Sequence, residues 1–195
     1  DRSHLVLVHA MLAESLERHA REAGRLQSLH RACARALMRS ATASGRAERV
    51  GRHLAAAADG LAAARWLLEG AEERLAHCNF DEAHALAALR DEGLVAAGVP
   101  DDDPRRAHGH LLRAEVAVSR ARLDEVQDWL VRASPARDPF VEAHSLSLRA
   151  RIALKRARNE EAAQMYEEAY RRMLAIGDEL GTAHCMHGLG EAEKL

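Results

Sequence analysis

The chain has 195 residues, 48% of them hydrophobic but only 3% aromatic, so its apolar content is mostly Ala, Leu and Val. Ala and Leu are strong helix formers, and only four prolines interrupt them, which leaves an all-α chain with little room for a sheet. A net charge of −2 and a pI near 6.7 give no electrostatic basis for a nucleic-acid partner.

Near the start the only continuous apolar run is "LVLV" (Leu5–Val8), too short for a membrane span or a signal segment, so no membrane partner is expected. Cys33, Cys78 and Cys185 are odd in number and widely spaced, which argues against a disulfide framework and for a reducing cytoplasm. The first 60 residues carry ten arginines against six acids, an asymmetry that suits contact with a neighbouring domain. The chain opens on Asp1 and ends at "GEAEKL", so we expect a piece of something longer.

Stop and start signals divide the chain into helices. The first is expected over about Ser3 to Ala23, closed by Gly24, and the second over Leu26–Arg39 with Leu26, Leu29, Cys33, Ala36 and Leu37 on one face. "SATASG" (Ser40–Gly45) reads as a loop. Helices then fit residues 46–58, 60–77 and 81–97, followed by the connector "GVPDDDP". Asp103 with Pro104 and Asp138 with Pro139 read as N-cap and first residue, and Gly177 with Asp178 as stop and next cap. Between these marks lie helices over 104–120 and 123–134, then 139–157 and 159–175, then one from 179 onward. Turns of two or three residues make each pair antiparallel.

The pairs repeat. "AHGHLLRAEVAVSRARLDEV" (Ala107–Val126) aligns with "AHSLSLRARIALKRARNEEA" (Ala143–Ala162) at an offset of 36 residues. "AHCMHGLGEAEKL" (Ala183–Leu195) begins a further copy at an offset of 40, and "NFDEA" supplies the turn of an earlier one. Two helices per period of this length mean an α-solenoid of helix hairpins.

On these residues the chain resembles the tetratricopeptide repeat. The family's small position late in the first helix falls on Ala71, Ala114, Ala150 and Gly190, and the second-helix entry on Ala83, Val126 and Ala162. The deep small position falls on Ala133 and Ala169, but on Arg90 in the earliest copy, a departure from the pattern. The resemblance covers residues 104–195 well and 60–97 less closely. It implies repeats at about 60–97, 104–134, 139–175 and a truncated one at 179–195. The spacings are similar to the irregular repeats of bacterial MalT-type regulators. In residues 1–58, "LVLVHAMLAESLERHAREAGRLQSLHRACARAL" resembles the helical section that follows the ATPase and winged-helix modules of large bacterial signalling ATPases.

The resemblance implies a concave groove that receives a protein or peptide partner, an adjacent domain, or a small-molecule effector controlling a linked ATPase. Its groove positions fall on His108, His144 and His184, then Leu111, Ser147 and His187, then Glu115, Arg151 and Glu191. Against this stands a solvated remnant of a degenerate repeat. His184, His187 and Glu191 at i, i+3 and i+7 also have the chemistry of metal ligands, with His144 as a conceivable fourth. Helix packing distances of about 8–10 Å work against completing that set, and we expect neither metal nor other cofactor. Lys155 and Lys194, the only lysines, do not follow a Gly-x4-Gly loop, and the chain lacks G-x-S-x-G and HExxH. His144 and Ser145 are sequence neighbours on different helix faces, so they make no nucleophile–base pair, and no enzymatic activity is expected.

Overall fold

The computed structural model describes residues 10–40 and 44–194. Among them the chain forms ten α-helices, one 3₁₀ turn (Ser134–Ala136) and no strand. In chain order these are α1 (Ala10–Glu22), α2 (Leu26–Arg39), α3 (Arg46–Ala56), α4 (Gly60–Ala76) and α5 (Phe80–Ala96). They continue with α6 (Pro104–Ser119), α7 (Leu123–Ala133), α8 (Pro139–Lys155), α9 (Asn159–Ile176) and α10 (Glu179–Glu193). The part of the first helix expected before Ala10, with "LVLV", lies outside the described residues, as do residues 41–43 of the expected loop.

Local chemistry sets the helix starts. The carboxylates of Asp103, Asp138 and Asp178 accept from the backbone N–H of Arg105, Val141 and Gly181, and Asp59 does the same for Ala62. Each satisfies one of the donors that a helix N-terminus leaves without a partner. The ends share one device as well. Arg122 N–H donates to the Ala117 carbonyl and Ala121 N–H to Val118, and the same pair of bonds recurs at Arg158 and Ala157 and at Asp178 and Gly177. This bonding needs a left-handed residue at the turn. Gly177 supplies it with φ 73°, whereas Ala121 and Ala157 adopt φ 58° and 57° despite their Cβ atoms.

Packing follows the chain. The pairs α4/α5, α6/α7 and α8/α9 lie side by side, and α4, α6, α8 and α10 also touch in a row. The expected close-contact alanines are buried between paired helices. Ala71 packs with Leu86 and Ala87 of α5, Ala114 with Val126 and Leu130 of α7, and Ala150 with Tyr166 and Ala169 of α9. Backbones approach even closer where glycine stands. A Cβ on Gly60 would lie 2.3 Å from the Gly93 carbonyl oxygen, and one on Gly70 2.8 Å from the Glu48 amide nitrogen.

Arg90 occupies the deep position where the pattern asks for a small residue, and it is 2% exposed. Its guanidinium donates to the carbonyls of Ala64 and Arg105 and pairs with Asp91 at 3.3 Å, so the buried charge is matched. Gly109 makes room for it, since a Cβ there would lie 2.7 Å from Arg90 Nη1.

The N-terminal helices hold on lightly. In α2 only Ala34 is fully buried. A hydrogen bond of 2.9 Å between the Nδ1 atoms of His30 and His53 joins α2 to α3, and Arg31 donates to the Ala57 carbonyl. No described helix is long and apolar enough to cross a membrane.

Candidate functional site

A cavity of about 450 Å³ opens between α6, α8, α9 and α10. Its volume falls within the range of about 300–1,000 Å³ typical of ligand pockets. Eight of the nine groove residues expected from the repeat line it: Leu111, Glu115, His144, Ser147, Arg151, His184, His187 and Glu191. They meet because three first helices, α6, α8 and α10, present the same face along one row, so residues 36 or 40 apart in sequence become neighbours.

His108 is the correction. It is absent from the cavity lining, because the Phe140 ring of α8 stands between it and His144. The His108 and Phe140 centroids are 5.0 Å apart, and those of Phe140 and His144 are 4.0 Å apart. The three histidines therefore do not form one ladder in the cavity. His108 and His144 instead share another contact, each approaching the N-cap aspartate of the next first helix. His144 Nε2 hydrogen-bonds Asp178 Oδ2 at 2.7 Å, while His108 Nε2 lies 3.9 Å from Asp138 Oδ1.

Electrostatics separate the cavity into a polar rim and an apolar floor. Arg151 donates to Glu115 at 3.4 Å, tying α8 to α6, and His187 approaches Glu191 at 3.6 Å. Burial pushes the Asp178 carboxyl up. The Gly181 N–H, the His144 hydrogen bond and the nearby charges of His144 and His184 outweigh it and hold Asp178 below its ordinary value. Burial raises the Tyr166 hydroxyl to about 12, so it stays a neutral donor, and it also raises the Cys185 thiol.

Leu148, Leu154, Lys155, Tyr166, Met173, Gly181 and Gly188 complete the lining, and none of them is among the expected groove residues. A signal existed at Gly188, where a Cβ would lie 2.3 Å from the Tyr166 ring: a glycine inside a helix marks a close approach. The metal candidate does not assemble. Among the described residues no three His, Cys, Asp or Glu side chains gather in an arrangement that holds a metal ion, so His184, His187 and Glu191 remain a rim. Among the polar side chains of the lining, His144 is already engaged by Asp178. What the arrangement offers a ligand is an apolar floor with donors and acceptors of both charges around it.

No protein-family model, no curated protein and no solved structure matches the chain.

Proposed function

We propose that this chain is a non-catalytic α-solenoid of tetratricopeptide-like hairpins and works as a regulatory scaffold, of the kind found in MalT-like bacterial regulators. Its cavity between α6, α8 and α10 takes a peptide, a neighbouring domain or an effector. One observation carries the reading: residues at equivalent repeat positions, Leu111/Ser147/His187 and Glu115/Arg151/Glu191, converge on one cavity. Stacked hairpins present such a surface largely preformed, so binding need not order a loop. The size of the cavity favours, as a second reading, a small-molecule effector over a long peptide.

Two probes separate the readings. A phage library of random 12-residue peptides and a ligand-observed NMR fragment library are each screened against the wild type and against the double variant Arg151→Ala, His187→Ala. Both side chains lie on the rim, so melting temperature should change by no more than a degree or two. Ligands whose affinity falls at least tenfold in the variant support the cavity, and the library that supplies them decides the ligand class. Ligands that bind both proteins equally, or none from either library, count against it.

A further inference from the structure

The outer side of α10 repeats a pattern of side chains that the preceding hairpins bury. Offsets of 36 and 40 residues make Ala107, Ala143 and Ala183 equivalent; the first two are 0% exposed, yet Ala183 is exposed. Ala71, Ala114 and Ala150 are likewise 0% exposed, each covered by the second helix of its own hairpin. Their counterpart Gly190 has nothing within 4 Å of where its Cβ would stand. Met186, counterpart of the partly buried Leu146, is 59% exposed. A groove of about 240 Å³ runs beside this row, between Leu174 and Gly177 at the end of α9 and Ala183 and Met186 of α10.

The charges at the turn end tell the same story. Arg120, at the end of α6, pairs with Asp81 near the start of α5, and Arg156, at the end of α8, reaches Asp124 of α7 at 3.8 Å. The acid one hairpin further on is Glu160 of α9, which is exposed and has no ion-pair partner among the described residues. The interfaces already present thus specify what fits the open one.

We propose that this face docks a single amphipathic α-helix running antiparallel to α10. The occupant carries small residues where α9 has Ala162 and Ala169, both 0% exposed, and the turn that leads into it carries beside Glu160 the basic residue that Arg120 and Arg156 supply after α6 and α8. Small residues let its backbone come close at Gly190, its apolar side chains cover Met186, and the turn's cation completes the ion-pair series. The residues involved are not those lining the cavity, so this proposal and the cavity reading fail separately.

The test appends a copy of Arg156–Ile176 directly after Leu195, which the 40-residue offset puts in register with α10. The appended helix should raise the melting temperature by about 4 °C or more and slow amide exchange over Ala183–Gly190. Gly190→Leu should then change sign. In the original chain it leaves the melting temperature level or raises it, because the site is open and leucine favours helix over glycine. In the extended chain it lowers the melting temperature, as does Ala169→Leu within the appended copy. An appended helix that neither stabilises nor protects overturns the proposal. So does an original chain that sediments as a dimer which Gly190→Leu dissociates, since a second copy would then own the face.

Discussion

At the scale of single residues, the fold turns on where a methyl group is tolerated. Ala150 is 0% exposed and sits among Tyr166 and Ala169, whereas Ala163, thirteen positions on, is only half-buried. Both are helical alanines, so leucine changes their intrinsic propensity equally and little. Ala150→Leu forces side chains and backbone apart at a packed contact, at a cost of about 1–3 kcal/mol. Ala163→Leu should stay within about 0.5 kcal/mol, as surface changes usually do. Thermal melts therefore should drop several degrees for the first variant and hardly move for the second. Equal midpoints would mean that the small position does not mark the crossing. Arg90 shows the limit of that rule: a large residue is accepted where carbonyls, a carboxylate and a neighbouring glycine receive it.

At the scale of helices, boundaries were legible because caps are local. Asp103, Asp138 and Asp178 act on an amide two or three residues away, and Gly177 needs only its own φ. The turns closed by alanine were placed too, but their conformation was not legible, since nothing in the sequence around Ala121 or Ala157 signals a left-handed residue. Holding alanine there costs about 1–2 kcal/mol relative to an ordinary backbone conformation. Ala157→Gly removes that strain and gives back roughly 0.5–1 kcal/mol to the unfolded chain's entropy, so the variant should be level or slightly more stable. Gly177→Ala introduces the strain at φ 73° and should melt several degrees lower. If the two variants shift in the same direction, the turns are not equivalent. The cavity was legible in the same partial way. The resemblance to the tetratricopeptide repeat pointed to eight of its residues, but Phe140 standing between His108 and His144 depends on a contact between hairpins that no single-chain period encodes.

At the scale of the whole molecule, acid should unfold the chain in two stages. His53, His84, His108 and His110 all have pKa values below the ordinary 6.5, in each case first because burial disfavours the imidazolium. For His53 the charge of His30 adds to this, and for His84 and His110 Arg113 does. A depressed folded value means that the unfolded chain binds more protons, so stability is present above pH 6.5 and is lost as pH falls through the folded values. Glu48 and Asp178 work below that range. Burial raises both, but hydrogen bonds from Arg52 and Arg74 to Glu48, and from Gly181 and His144 to Asp178, outweigh it and leave them lowered. Their contribution is present above about pH 4.5 and disappears as pH falls further. Glu72 has the opposite sign: burial first, then Glu115 and Glu69, raise it, so it costs stability as pH rises through 4.5 and blunts the second stage. Melting temperatures measured from pH 8 to pH 3 should stay level above 6.5, decline once below it, and decline again below about 4.5. The first decline belongs to the junction of α2 with α3 as well as to the repeats, because His53, which hydrogen-bonds His30 across that junction, is one of the four depressed histidines. His53→Gln should therefore make the first decline shallower and leave the second unchanged. A first decline as steep in that variant as in the wild type would place the acid sensitivity entirely in His84, His108 and His110.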